Sequence, residues 1–111
     1  MTSRKDAIRA YKERPPNMGA FAIRCVPANR CWVGTSRNLT AAQNSAWFSL
    51  RMGMHRSRDL QAAWTTHGEA AFAFEIVEKL DDDIAPMAVA DLLKEKLRVW
   101  AERLQAPQLL P

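Results

Sequence analysis

A tight β-hairpin at residues 19–35 does most to limit how this chain can fold. From Gly19 to Cys25 the side chains alternate, with Phe21, Ile23 and Cys25 on one side and Ala20, Ala22 and Arg24 on the other. A period of two is the pattern of a half-buried strand. Pro27-Ala28-Asn29 supplies turn chemistry, and Cys31 to Thr35 forms the returning strand. Cys25 and Cys31 bracket that turn within conceivable reach of each other, but free, half-buried thiols are the expected state in a reducing compartment. Two cysteines with no nearby pair of histidines make a poor zinc site.

The remaining elements are mostly helical. Residues 3–13 read as a short helix with Ser3 as N-cap, and Pro15-Pro16 ends it because proline lacks the amide proton. Asn38 or Thr40 can cap a helix running to about Met52, with Leu39, Ala42, Ala46, Trp47 and Leu50 near one face. Ser57 caps another through Thr66, and Gly68 stops it. Phe72, Phe74 and Ile76 alternate with Ala73, Glu75 and Val77 in a third strand. Asp81-Asp82-Asp83 offers a cap for a long terminal helix with Pro86 in its first turn. On that helix Val89, Leu93, Leu97, Trp100 and Leu104 form a stripe suited to a core. The expected fold is α+β: a small three-stranded antiparallel sheet flanked by helices. Residues 1–18 read as a helical extension, 19–105 as the domain and 106–111 as a tail.

The 111 residues suit one such domain, and 48% hydrophobic content with four tryptophans can fill its core without a metal or disulfide staple. No apolar run approaches the roughly 18 residues of a membrane span. The charged stretch Met1 to Arg14 does not read as a secretory signal, so a cytoplasmic setting is expected. Charge is uneven along the chain. Residues 1–60 hold eleven basic and three acidic residues, a balance of +8, whereas residues 61–111 hold five and nine, a balance of −4. A basic half suits phosphate backbones. The plainer alternative is a solvated basic surface, since no dense Lys/Arg run occurs.

Several fragments, in order, resemble the GIY-YIG endonucleases. Gly19-Ala20-Phe21 stands for Gly-Ile-Tyr and Trp32-Val33-Gly34 for Tyr-Ile-Gly. Gly34 to Leu39 resembles the family's Gly-Ser-Thr-x-Asn-Leu. Gly53-Met54-His55, Leu60 to Trp64, His67-Gly68-Glu69, Phe72 to Glu78 and Trp100 to Leu104 continue the likeness, which covers most of Gly19 to Leu104. The lead-in Tyr11-Lys12-Glu13 resembles that of small bacterial members. The resemblance implies a tyrosine that activates or orients water, a second tyrosine, a helix arginine that clamps the scissile phosphate, a histidine, and a carboxylate that binds one divalent metal. The corresponding positions here are Phe21, Trp32, Ala42, Ala46 and Leu97. Phenylalanine cannot take part in proton transfer, indole can only donate, and leucine cannot coordinate a hard cation. Glu95 and Glu102 lie roughly 140–160° around the helix from Leu97, so neither replaces the lost ligand. His55 is the one polar position of the family retained; a loop histidine bonded to backbone is its plain reading.

Three functions follow. The first is a catalytically impaired, nucleic-acid-binding domain, DNA ahead of RNA, using Arg24, Arg37, Arg51, Arg56 and Arg58. The second is an active Mg²⁺-dependent endonuclease with a rearranged site drawn from His55, Trp32 and Glu95. The third is a protein-interaction or regulatory module in which Phe21, Trp32, Ala42, Ala46 and Leu97 have become core. The first and third need no metal or cofactor. The sequence leaves oligomeric state open.

Overall fold

The computed structural model describes residues 18–81 and 84–109. The expected helix at residues 3–13, with Ser3, Tyr11 and Pro15-Pro16, lies outside them, as do Asp82 and Asp83. Among the described residues seven elements follow one another: β1 (Gly19–Cys25), β2 (Arg30–Ser36), α1 (Leu39–Arg51), α2 (Arg58–His67), a 3₁₀ turn (Glu69–Ala71), β3 (Phe72–Lys79) and α3 (Pro86–Leu104). The sheet is antiparallel throughout, in the order β2-β1-β3. This is the α+β arrangement expected from the sequence.

The hairpin closes at Val26–Asn29, where the Asn29 N–H donates to the Val26 carbonyl at 3.1 Å and Asn29 takes φ 53°. Asparagine tolerates that left-handed conformation better than most residues. Arg24 pairs with Cys31 and Cys25 with Arg30. That offset of one residue puts the two thiols on opposite faces of the sheet, and both are free.

Strand β1 departs from the half-buried expectation. It is the central strand, and Ala20 and Ala22 are as fully buried as Ile23 and Cys25. The large side chains Phe21 and Ile23 join Trp32, Leu39, Trp47, Leu50, Leu60 and Trp64 in the main core under α1 and α2. The small side chains Ala20 and Ala22 lie on the other face, where α3 packs closely on β1 and β2. Helices thus cover both faces of the sheet, with the large side chains of β1 toward α1 and α2 and its small ones toward α3. Aromatic rings knit the main core: Phe21 stacks on Phe74 at 4.8 Å and Trp47 meets Trp64 edge-on at 5.3 Å.

Asn38 caps α1 through its side-chain oxygen, which accepts the Ala41 N–H at 3.1 Å, and Ser57 caps α2 by accepting from Leu60. Helix α3 starts differently from the expectation. Its N-cap is Ala85, no side chain caps it, and Pro86 opens it. A proline at the first helical position has no N–H to leave unpaired and already holds a helical φ, so the upstream acids are not needed there. Its buried stripe is Val89, Leu93, Leu97 and Ala101. Trp100 stays half-buried because its indole N–H donates to Glu78 at 2.7 Å.

Residues 105–109 fold back onto the sheet. Gln105 turns the chain at φ 51°, and the strap 107–109 runs along the outer edge of β2. The Val33 N–H donates to Pro107 and the Leu109 N–H to Val33, while the Leu109 side chain enters the main core. No helix among the described residues is long and apolar enough to cross a membrane.

Candidate functional site

A groove of about 510 Å³ opens between the hairpin, helix α1 and the loop before α2. Phe21 and Leu109 form its apolar base, Ala42 and Ala46 line its helical wall, and Met54, His55 and Arg56 close one side. Four of the positions implied by the family resemblance, Phe21, Ala42, Ala46 and His55, therefore meet in one place. Helical geometry explains the wall: Asn38, Ala42, Ser45, Ala46 and Ser49 fall at spacings of three and four and share one face of α1. Their small size is what leaves the groove open.

Trp32 and Leu97 do not join them. Trp32 is fully buried in the main core, and its Nε1–H donates to Asp59 Oδ2 at 3.0 Å. Arg30 forms a two-pronged ion pair with the same carboxylate and lies over the indole ring at 4.6 Å. Leu97 is buried in the α3 stripe and is not among the groove residues. Glu95 is exposed on α3. The rearranged set His55, Trp32 and Glu95 is therefore not assembled at this groove.

The polar groups of the groove share an orientation. Asn38 uses its side-chain oxygen on the Ala41 N–H, so its amide NH₂ remains for other partners. The Ser36 hydroxyl oxygen accepts the Asn38 N–H at 2.9 Å, which leaves its proton to donate. His55 Nδ1 accepts the Ser57 N–H at 3.0 Å, so in the neutral ring the proton sits on Nε2. The His55 backbone is held in turn by Gln61, whose amide also donates to the Leu50 carbonyl. Burial holds the His55 pKa below its ordinary value and keeps the ring neutral. In all three side chains a backbone amide occupies an acceptor and a donor is left over.

The five arginines expected to bind nucleic acid do not form one surface. Arg56 lines the groove, and Arg37 is exposed on the loop between the groove residues Ser36 and Asn38. Arg58 is exposed at the start of α2. Arg24 pairs with Glu75 at 2.7 Å on the sheet face opposite Phe21, and Arg51 forms a two-pronged pair with Glu69 at 2.7 and 2.9 Å. Those two cations are largely neutralised. Thr35, Ser36, Asn38, Ser45, Ser49 and Leu109 also line the groove, and none of them stood out as a groove residue in the sequence. For Asn38, Ser45 and Ser49 the signal was present, because they share the α1 face of Ala42 and Ala46.

The divalent metal of the family resemblance does not fit these side chains. Among the described residues no aspartate or glutamate lines the groove, and the implied ligand position is a buried leucine. Among the described residues no group of three or more His, Cys, Asp or Glu side chains could hold a metal ion.

The sheet order and the three helices among the described residues form a GIY-YIG endonuclease-like fold. Two solved structures share it. One is the catalytic domain of intron endonuclease I-TevI in a point-mutant form, with a TM-score of 0.70 and 24% identity over 80% of this chain and 84% of that one. The other is the catalytic domain of homing endonuclease I-TevI, with a TM-score of 0.70 and 22% identity over 85% of this chain and 99% of that one. No protein-family model and no curated protein matches the sequence.

Proposed function

We propose that this chain binds nucleic acid, DNA in preference to RNA, on an endonuclease-like fold that has lost the hydrolytic step. The observation that carries this reading is the composition of the groove. It gathers Phe21, Ala42, Ala46 and His55, offers hydrogen-bond donors and an arginine, and has no carboxylate among the described residues that line it. Hydrolysis of a phosphodiester needs a group to take the proton of water and a charge to stabilise the transition state. Phe21 has no ionisable group. His55 has Nδ1 occupied and Nε2 protonated, so it donates rather than accepts. Losing one preorganised electrostatic group costs on the order of 10²–10³ in rate, and here several are absent together. The reading in which this region became extra core, leaving a protein-interaction module, fits less well. Phe21, Trp32 and Leu97 are core, but Ala42 and Ala46 line an open groove.

The test measures binding and cleavage on the same preparation. Fluorescence anisotropy with labelled duplex, branched and single-stranded DNA should show affinity that falls steeply with salt. Supercoiled plasmid incubated with Mg²⁺ or Mn²⁺ should remain uncut. Metal-dependent nicking that co-purifies with the protein, or no binding to any nucleic acid at low salt, would overturn the proposal.

A further inference from the structure

Beside the donor-rich groove lies an exposed apolar rim that phosphate contacts do not explain. Phe48 is 64% exposed on α1, three residues after Ser45 and on the stripe adjoining the groove face. Met52, 57% exposed, continues that stripe, and Met54, 72% exposed, stands on the groove itself. A soluble domain gains nothing from displaying a phenylalanine and two methionines next to a polar cavity unless something covers them. Two features identify the chemistry of that cover. Asn38, Ser36 and His55 each present a donor while a backbone amide occupies an acceptor, Arg37 is exposed on the adjoining loop, Arg56 lines the groove, and no acid does so among the described residues. The occupant is thus anionic on one side and flat or apolar on the other.

We infer that the groove and its rim take a single-stranded stretch of nucleic acid, with a phosphate against Ser36, Asn38, His55 and Arg56 and unstacked bases against Phe48 and Met54. This rests on the nucleic-acid-binding reading above and names the form of nucleic acid. A duplex offers phosphates to the arginines but keeps its base faces stacked, so the aromatic rim contributes nothing to it. A single strand satisfies both halves of the surface, since every base has a face that can stack on an aromatic side chain. The alanines Ala42 and Ala46 leave width along the wall for a base to enter. An acidic peptide meets the charge requirement but brings a flat group only where it carries an aromatic side chain, whereas every nucleotide brings a base.

The experiment compares a single-stranded oligonucleotide with a hairpin duplex of equal phosphate number, at low salt, by anisotropy. The single strand binds several-fold tighter to the unaltered protein. Phe48→Ala, on an exposed position that leaves folding intact by circular dichroism, weakens the single strand about 5- to 100-fold and the duplex hardly at all. Asn38→Ala with His55→Ala weakens both. Equal affinity for the two forms, or an equal effect of Phe48→Ala on both, overturns this inference while leaving the nucleic-acid reading standing. Failure to bind either nucleic acid, or competition by poly-glutamate at equal charge as effective as by the oligonucleotide, overturns both.

Discussion

The ring of Phe21 lies against the bare Cα of its register partner Gly34, and a β-carbon built on that glycine would stand 2.5 Å from Cζ. Phe74 holds the same ring from the neighbouring strand at 4.8 Å between centroids. The base of the groove is therefore fixed from two sides, and Gly34 supplies the room. Gly34→Ala should displace the ring and cost about 1–3 kcal/mol, the usual penalty of overpacking. Phe21→Leu should relieve part of it, so a double-mutant cycle in urea should give less than the sum of the single losses. Strict additivity would mean that the two residues do not constrain each other.

Leu97 sits at the position where the family resemblance implies a metal-binding acid, yet it points into the stripe that seats α3 on the sheet. Leu97→Glu should lose about 3 kcal/mol or more, because a carboxyl group enters an apolar interface without a partner. Excess Mg²⁺ should not restore the melting temperature. Recovery by Mg²⁺ in this variant alone would show that the position can still bind metal.

Much of the fold was legible because its signals are local. The alternation around Phe21 and Ile23, the turn at Pro27-Ala28-Asn29 and the caps Asn38 and Ser57 each act within a few residues. The groove was legible in part, since Phe21, Ala42, Ala46 and His55 follow from the order of motifs. What escaped depends on distant contacts. The burial of Ala20 and Ala22 needs β1 to be central, and the burial of Trp32 comes with a carboxylate 27 residues away. The neutralisation of Arg24 and Arg51 depends on Glu75 and Glu69, which no spacing rule ties to them.

Asp59 accepts from a fully buried indole as well as from Arg30. Asp59→Ala strands the Trp32 N–H without a partner and should cost about 1–3 kcal/mol, whereas Asp59→Asn retains an acceptor and should cost less. Chemical denaturation of the two variants separates the hydrogen bond from the ion pair. An equal loss in both would assign the effect to the charge.

Acid should destabilise the protein in two stages. Burial lowers the His55 pKa, so below its ordinary value of about 6.5 the unfolded chain binds a proton that the folded chain refuses, and stability falls. Asp59 beside Arg30, Glu69 beside Arg51 and Glu78 beside Trp100 and Lys96 are all held below their ordinary values. Their contribution is complete above the unfolded values of about 4 and is lost as pH falls through the lower folded ones. Melting temperature against pH should show both limbs. His55→Asn, whose amide oxygen can still accept from Ser57, should flatten the upper limb only, and Glu78→Gln should reduce the lower. An unchanged upper limb in His55→Asn would rule out that assignment.

Gln105 carries the turn that sends the chain from α3 back along β2. It holds φ 51° and ψ 50°, while its own N–H and that of Ala106 satisfy the last helical carbonyls. A side chain in this left-handed region costs on the order of 1 kcal/mol, and glycine avoids the clash at some cost in unfolded-state entropy. Gln105→Gly should therefore raise stability by about 0.5–1 kcal/mol, and Gln105→Val should lower it by at least as much. The same turn aims Leu109 into the core and its amide at Val33. Hydrogen exchange at the Leu109 amide should accordingly slow in the glycine variant and quicken in the valine variant. If that exchange is indifferent to both, the strap is held by Leu109 burial alone and the turn merely permits it.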